Sequence, residues 1–579
     1  MKRLLNYLRP YRYFVVLAIW ILLGASLLQL AGPYLTKIGI DRYIANGDFA
    51  GLRWICFIYI LVLFVEFWLQ FAQIYLINWI GQKAMFDMRS QLFAHIQNLS
   101  LSFFDRNPVG RLVTRVTTDI ESLHQMLSSG VVAIFGDIFT LAGIVIALLI
   151  LNWKLALVTF SVLPALFYAT FLFKKKVRET YRQIRVRIAR INAFLQENIT
   201  GMSVVQIFNR EHRNFQKFDK LNFDHLQAYL KTIFYYALFY PAVEIISAVA
   251  IALIIWYGGG QIIKGALTFG ALVAFIQYAE RFFRPIMDLS EKYNIMQSAM
   301  ASSERIFRLL DTRPQIVAPE QPKYLKKVRG EIEFRNVWFA YKNEEYVLKD
   351  INFHIKAGEK VAFVGHTGAG KTTIMNLLLR FYDVTQGEIL LDGVNIKEMD
   401  PRHLRKHFGL VLQDVFIFDG TVAYNIGLGS EHFNREKIIQ AARDVYAHTF
   451  IEKLPHKYDE PVQERGRALS TGQRQLLAFA RALAFDPPVL ILDEATSSVD
   501  TETELLIQKA LKRLMQNRTS LVVAHRLSTI KNSDRIIVLH KGEIREMGTH
   551  EELLAREGIY YRLYQLQYAD QERIQQLME

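Results

Sequence analysis

A strand-like run, Lys360–Val364, leads into Gly365-His366-Thr367-Gly368-Ala369-Gly370-Lys371-Thr372-Thr373, and an apolar helical run, IMNLLLRFY, follows. Glycines at the first, fourth and sixth places let the backbone curl so that its N–H groups face an anion. A helix starting directly afterwards adds partial positive charge and free N–H groups. Lysine followed by threonine completes a phosphate cradle in the strand–loop–helix context that this spacing needs. Lys371 would reach the outer phosphates of a nucleoside triphosphate, and the Thr372 hydroxyl would hold Mg2+.

Such a loop serves many reactions, so a second element must narrow the choice. The apolar run Val489–Leu492 ends in Asp493 and Glu494. At the end of a buried strand, the first acid suits a Mg2+ shell, and the second suits a base that polarises an attacking water. A third element precedes it: Leu469-Ser470-Thr471-Gly472-Gln473, then the helical run RQLLAFARALAF. Ser470 is placed to cap that helix, which offers a second N-terminus to a phosphate. One nucleotide does not need two such termini. If they serve different nucleotides, the domain has to pair with another.

These residues resemble the nucleotide-binding domain of ATP-binding cassette (ABC) transporters, whose signature is close to LSGGQ. The order of motifs matches as well. By that resemblance Gln413, after the strand FGLVL, senses Mg2+ and the membrane domain, and His525, after LVVA, contacts the γ-phosphate. Tyr341 resembles the aromatic that stacks on adenine, with Phe339 a lesser candidate. Glu464-Arg465-Gly466 resembles the loop that touches the membrane arms, and Ser497-Ser498-Val499-Asp500 the loop that crosses the dimer interface. The resemblance implies ATP and Mg2+ as cofactors. It also implies a head-to-tail dimer, with each ATP between the phosphate loop of one domain and Ser470, Gly472 and Gln473 of the other. One residue departs from the pattern: Thr471 stands where glycine is usual. A β-branched residue resists positive φ, so the expectation is a slightly altered partner site, which favours a heterodimer over a homodimer.

The elements that would use this ATPase lie upstream. Of the 579 residues 51% are apolar, and the long apolar runs fill the first half. Spanning a bilayer takes roughly 20 apolar residues, about 30 Å of helix. Six stretches qualify: 14–34, 54–80, 130–151, 155–173, 233–257 and 269–293. The sixth is the weakest, because Gln277, Glu280, Arg281, Arg284 and Asp288 interrupt it. The net charge of +14 would suit nucleic-acid binding, but Lys174, Lys175, Lys176, Arg178, Arg182, Arg185, Arg187 and Arg190 directly follow an apolar run. That is the pattern of a cytoplasmic membrane flank, and no nucleic-acid partner is expected.

Connections between the stretches alternate short and long, and the long ones keep helical periodicity. Two arms would extend into the cytoplasm, breaking at Phe103–Arg111 and at Asn198–Ser203, with apolar tips suited to docking. The resemblance matches these tips to coupling helices. Glu66, Asp137 and Glu244 lie within apolar stretches, where a charge faces either a polar path or an interhelical partner. Cys56, the one cysteine, sits in an apolar run, so neither an internal disulfide nor a cysteine metal site is expected. With 13 residues before the first run and no small-residue cleavage site among them, neither an N-terminal protease domain nor a removed signal is expected.

The expected fold is a six-helix membrane bundle of the ABC exporter kind followed by an α/β phosphate-loop NTPase. Residues 1–310 form the membrane domain, 311–330 a linker, 331–565 the nucleotide-binding domain and 566–579 a tail. The resemblance is nearest to multidrug-resistance-like bacterial half-transporters. It implies ATP-driven export of a hydrophobic or amphipathic drug, lipid or peptide across the plasma (inner) membrane, with both termini cytoplasmic. A second half-transporter subunit and the lipid bilayer are the expected partners. An ATP-gated channel on the same frame is the alternative.

Overall fold

The computed structural model describes residues 2–342, 344–430, 433–463, 466, 468–493, 501–524 and 527–567. Two compact units emerge. One comprises Met1–Gln97 and Val109–Thr312, the other Asn98–Pro108 and Arg313–Glu579.

The first unit is helical. A short α1 (Lys2–Asn6) precedes α2 (Arg12–Ile38) and α3 (Phe49–Gln97), and α4 (Leu101–Arg106) belongs to the other unit. Then come α5 (Val109–Val116), α6 (Thr118–Gln125), α7 (Val132–Phe160), α8 (Leu163–Thr200), α9 (Met202–Ile207), α10 (Glu211–Ile263) and α11 (Phe269–Leu310). Six of these helices are long. Two solvents are written into each. In α3 the buried residues Ile77, Gly81, Ala84, Met88 and Leu92 recur every three or four positions, one helical face turned to protein. Upstream on the same helix Phe64, Trp68, Phe71 and Tyr75 are exposed. Such a girdle is costly in water and at home in lipid.

Among the described residues four helical stretches are long and apolar enough to cross a membrane: Arg9–Ile44, Phe49–Gln97, Val109–Phe160 and Glu211–Ile263. The expected fourth and sixth stretches are helical too, but fall short for physical reasons. Residues 155–173 are broken by a turn at Ser161–Val162 before Pro164. The sixth carries Glu280 and Arg281, and it packs on protein: the Tyr278 hydroxyl donates to the Leu30 carbonyl at 2.6 Å, and Arg281 donates to that of Gln29. The short connection between the third and fourth stretches is a tight turn. Asn152 is extended, with φ −166° and ψ 106°, and its side-chain oxygen accepts from the Leu155 N–H at 3.1 Å.

The second arm is a pair of helices, α8 and α10. Phe173 stacks on Phe239 with centroids 4.0 Å apart, and Asn214 donates to Asn198 at 2.5 Å. Beyond it α9 and its C-cap leave Val204, Ile207 and Phe208 exposed. Of the three charges expected within spans, Asp137 pairs with Lys292, and Glu66 accepts from Gln70 on the next turn at 2.9 Å. Glu244 is exposed.

A polar knot closes the base of this unit. The nearly buried carboxylate of Asp119 accepts from Ser302 at 2.9 Å and from Arg305 at 3.0 and 2.5 Å. Burial pushes its pKa up, but the hydrogen bonds from Arg305 and Ser302 outweigh burial and hold it below the usual carboxylate range. A depressed carboxyl contributes stability above its unfolded pKa and loses it as pH falls through the folded value.

The second unit is α/β. Strands β1 (Ile332–Ala340), β2 (Tyr346–Ile355), β3 (Lys360–Val364), β4 (Gln386–Leu391), β5 (Val394–Asn395) and β6 (Phe408–Val411) come first. After them come β7 (Gly420–Thr421), β8 (Pro461–Val462), β9 (Val489–Asp493), β10 (Thr519–Val523), β11 (Arg535–His540) and β12 (Glu543–Gly548). The main sheet runs β12-β11-β3-β10-β9-β6, parallel except for β12, beside an antiparallel sheet β2-β1-β4-β5. Side chains alternate across the main sheet. Val361, Phe363, Val489 and Ile491 join one core, and Ala362, Val364, Leu490 and Leu492 the other.

We expect Asp119→Asn to lower stability at pH 7 by about 1–3 kcal/mol, since it weakens charge-assisted bonds to Arg305. Thermal unfolding of the detergent-solubilised protein measures this. The gap from wild type should shrink below about pH 4, where the wild-type carboxyl also protonates. An unchanged midpoint at pH 7 would show that the pair contributes nothing.

Candidate functional site

Parallel strands place their carboxyl ends along one edge, where open α/β sheets bind ligands. The phosphate loop leaves β3 there, and α12 (Lys371–Leu378) follows. Gly368 and Gly370 take φ of +83° and +103°, a region that favours glycine. A Cβ on Gly370 would stand 2.5 Å from Leu348. Lys371 is nearly buried and donates to the carbonyls of Gly365 at 2.6 Å and His366 at 3.1 Å, so its ammonium spans the loop. Burial pushes this ammonium down, while the Asp493 carboxylate pulls it back up. The charge of Asp493 is therefore felt at the loop. Thr372 is exposed at the start of α12, and His366 and Thr367 are exposed in the loop. Ala369 is buried. Oxygen donors at a phosphate site fit a hard cation such as Mg2+.

Thr373 points inward, and its hydroxyl accepts from the Tyr341 hydroxyl at 3.2 Å. That bond fixes the Tyr341 ring, which also meets Phe339 and Tyr382 edge-on, at 4.8 and 5.1 Å between centroids. One edge of the ring borders an open recess of about 590 Å3, shared with Tyr346, Val347 and Lys349. Phe339 is 3% exposed and unavailable for stacking. Gln413 is exposed two residues beyond β6, the strand beside β9 and Asp493. The structure thus gathers the phosphate loop, Asp493, Gln413 and Tyr341 in one region of one unit.

Ser470, Gly472 and Gln473 stand apart from these. Ser470 accepts from the Gln473 N–H at 3.2 Å, and the Gln473 side chain accepts from the Ser470 N–H at 3.0 Å, a reciprocal cap on the helix Thr471–Ala484. That helix packs into the core lined by Ala362 and Val364, whereas α12 packs into the core lined by Val361 and Phe363. The helix Thr471–Ala484 and α12 therefore lie on opposite faces of one sheet. Thr471 corrects an expectation. It is the first helical residue and is absent from the positive-φ positions, so its β-branch meets no strain. Its hydroxyl accepts from Arg474 at 3.2 Å.

Glu494, Ser497, Ser498, Val499, Asp500, His525, Glu464 and Arg465 lie outside the described residues. Gly466 is described, with φ +64°.

Sequence reasoning missed two sets of contacts. Arg481, in an apolar helical run, donates to the Asn425 carbonyl at 2.8 Å and ties the capped helix to the segment after Gln413. A guanidinium among alanines and leucines was the available signal. The first arm tip, α4, expected to dock, is packed within the nucleotide-site unit, with Phe103 and Phe104 half-buried, by partners that no sequence pattern named. Ser102 donates to Gln315 at 2.6 Å, Arg402 donates to Asn98 at 3.0 Å, and Tyr382 donates to Asp105. Burial and then the Asp105 carboxylate push the Tyr382 phenol well up.

Known proteins settle what this arrangement belongs to. The family model described as ABC transporter transmembrane region matches residues 15–286, and that described as ABC transporter matches residues 348–497. An ATP-dependent lipid A-core flippase of Syntrophus aciditrophicus (strain SB) is 41% identical over 98% of this chain and 94% of its own length. The chain belongs to the ABC transporter family. A probable multidrug resistance ABC transporter ATP-binding/permease protein of Bacillus subtilis (strain 168) is 41% identical over 86% of this chain and 74% of its own. The solved structure of a bacterial Atm1-family ABC exporter with ATP bound superposes with a TM-score of 0.79 at 30% identity, covering 96% of this chain and 98% of that one. This ABC transporter is therefore a membrane protein with the exporter fold. Its second unit binds ATP and is an ATPase coupled to transmembrane transport.

Gly370→Ala should weaken ATP binding at least tenfold, because the loop cannot keep its φ and clear Leu348 at once. Equilibrium binding of a fluorescent ATP analogue to the purified chain tests this. Unchanged affinity would mean that the loop closes in another way.

Proposed function

We propose that this chain is one half of an exporter that moves amphipathic molecules by alternating access, closing on ATP as a dimer. One observation carries the reading: the two phosphate-facing helices pack on opposite faces of one sheet. A single unit then offers each nucleotide only half of its contacts, and a second unit turned head to tail supplies the rest. Lys371 grips the outer phosphates, Tyr341 takes the adenine, and Ser470, Gly472 and Gln473 serve the partner's nucleotide. Thr372, Asp493 and Gln413 would hold Mg2+, which supplies charge neutralisation at the phosphates. Glu494 polarises the attacking water, His525 contacts the γ-phosphate, and Asp500 crosses the seam.

The unstrained start of the signature helix removes the reason for a weakened partner site. The partner we infer is a second half-transporter subunit, and the choice between a different and an identical one no longer turns on strain at Thr471. ATP must bind the closed dimer more tightly than the open one, since only differential affinity shifts such an equilibrium. The first tip carries closure into the arms through Phe104 and Asp105. The second tip, with Val204, Ile207 and Phe208 exposed, docks on the other chain. The basic run 174–190 supports arms, termini and ATPase on the cytoplasmic side of the plasma (inner) membrane. The relatives named for lipid A and for drugs support an amphipathic cargo, and their being transporters disfavours a gated channel.

In Glu494→Gln, ATP binding should persist while hydrolysis by the reconstituted protein falls by about two orders of magnitude or more; near-normal turnover would refute the assignment. In Phe104→Ala, ATP hydrolysis should persist while transport into inverted vesicles falls several-fold. Loss of both together, or retention of both, would count against the tip as the coupling element.

A further inference from the structure

Proline has no N–H, so a proline inside a helix strips the carbonyl four residues earlier of its donor. Pro33 stands inside α2, and the carbonyl it deprives is that of Gln29. Gln29 lies about 22 Å along the apolar run that begins at Phe14, at 1.5 Å per residue, in a helix apolar enough to span the bilayer. A bare carbonyl at that depth is costly, since lipid offers it no donor. The structure supplies one from α11. Arg281 donates to the Gln29 carbonyl, and Tyr278, one turn earlier on α11 and 2% exposed, donates to the Leu30 carbonyl at 2.6 Å. Gly32 makes the room: it is buried, and a Cβ there would stand 3.4 Å from a guanidinium nitrogen of Arg281.

Beyond the break α11 takes hold of α2 again. The π-helical turn Gly39–Ile44 continues α2. Its Asp41 carboxylate accepts from the Thr268 hydroxyl at 2.6 Å and the Gly270 N–H at 2.7 Å, at the start of α11. Between these two holds Thr36 returns its hydroxyl to the Gly32 carbonyl at 3.0 Å, a bond that favours bending. Helix α2 is thus weak at Pro33, and α11 grips it on both sides of the weakness. The second helix has a weakness of its own. Pro285 lies inside α11, and the carbonyl it deprives is that of Arg281. The residue that fills the gap in α2 therefore stands at the gap in α11.

From this we propose that Arg281 is a positioning residue for transport: its guanidinium supplies the hydrogen bond that Pro33 withholds, and so yokes the two proline breaks into one hinge. With the guanidinium in place the turn before Pro33 is complete, and α2 is held straight. When α11 bends at Pro285 the guanidinium withdraws, the Gln29 carbonyl is uncapped, and α2 is freed to bend at Pro33. Only Asp311 and Thr312 separate the end of α11 at Leu310 from the ATP-binding unit, which resumes at Arg313. A bend that starts in α11 is in this way passed to α2.

The test is a double-mutant cycle on the full chain in phosphatidylcholine nanodiscs, reading the thermal unfolding midpoint and the kcat and KM of ATP hydrolysis. Arg281→Met should lower the midpoint by about 3 °C or more and kcat about fivefold, with the KM for ATP within about twofold of wild type. Pro33→Ala restores an N–H to the Gln29 carbonyl. In that background Arg281→Met should cost no more than about half as much in midpoint. The double variant should nevertheless stay at least about threefold slow in kcat, because α2 has lost its break. Restored stability without restored turnover is the signature of a hinge. Recovery of both would reduce Arg281 to packing and overturn the proposal. So would equal midpoint losses in the two backgrounds, wild-type turnover in Arg281→Met or in Pro33→Ala, or a raised KM with kcat unchanged. If Arg281→Met alone does not fold, a folded but slow double variant supports the proposal, and failure of both to fold overturns it.

Discussion

The alternation of side chains across a parallel β-sheet is the constraint from which the mechanism descends. Residues at odd and even positions of β3 face different cores, so an element bound to one set cannot share a face with an element bound to the other. Here the lysine-bearing α12 takes one face and the capped helix Thr471–Ala484 takes the other. Both present the partial positive charge of a helix N-terminus. The separation of the two N-termini by the sheet supports the proposal that a nucleotide needing both draws one of them from a second unit. The proposed dimerisation on ATP rests in this sense on strand geometry.

The helices meet two solvents along a single axis. In α3 the exposed girdle from Phe64 to Tyr75 gives way to a protein-facing face from Ile77 onward. The change needs no break in the helix, because backbone hydrogen bonds are satisfied internally in either medium. The polar knot at Asp119, Ser302 and Arg305 joins α6 to α11 close to where that change of solvent occurs.

Much of this was legible in the residues. The phosphate loop could be read because glycine spacing, lysine and a following helix are local requirements. The turn at Asn152 could be read because only residues 152–154 separate two apolar runs, too few for anything but a tight connection. What stayed hidden depends on distant partners. Nothing around Asp137 announces Lys292, and nothing around Asp105 announces Tyr382. The hydrogen bond from Tyr341 to Thr373 joins positions that no periodicity connects. Thr471 misled for a different reason: a departure from a family pattern was read as backbone strain, whereas its backbone is that of an ordinary first helical residue.

The packing of Asn98–Pro108 among residues 313–579 makes the ATP-binding unit discontinuous along the chain. Its early portion leaves the ribosome some two hundred residues ahead of the rest. That portion must wait, tethered between helices bound for the bilayer, until Gln315, Tyr382 and Arg402 arrive to receive it. The order of synthesis therefore obliges membrane insertion to precede completion of the soluble half. A fragment cut at residue 313 would carry an unfilled socket where Ser102 and Asp105 belong.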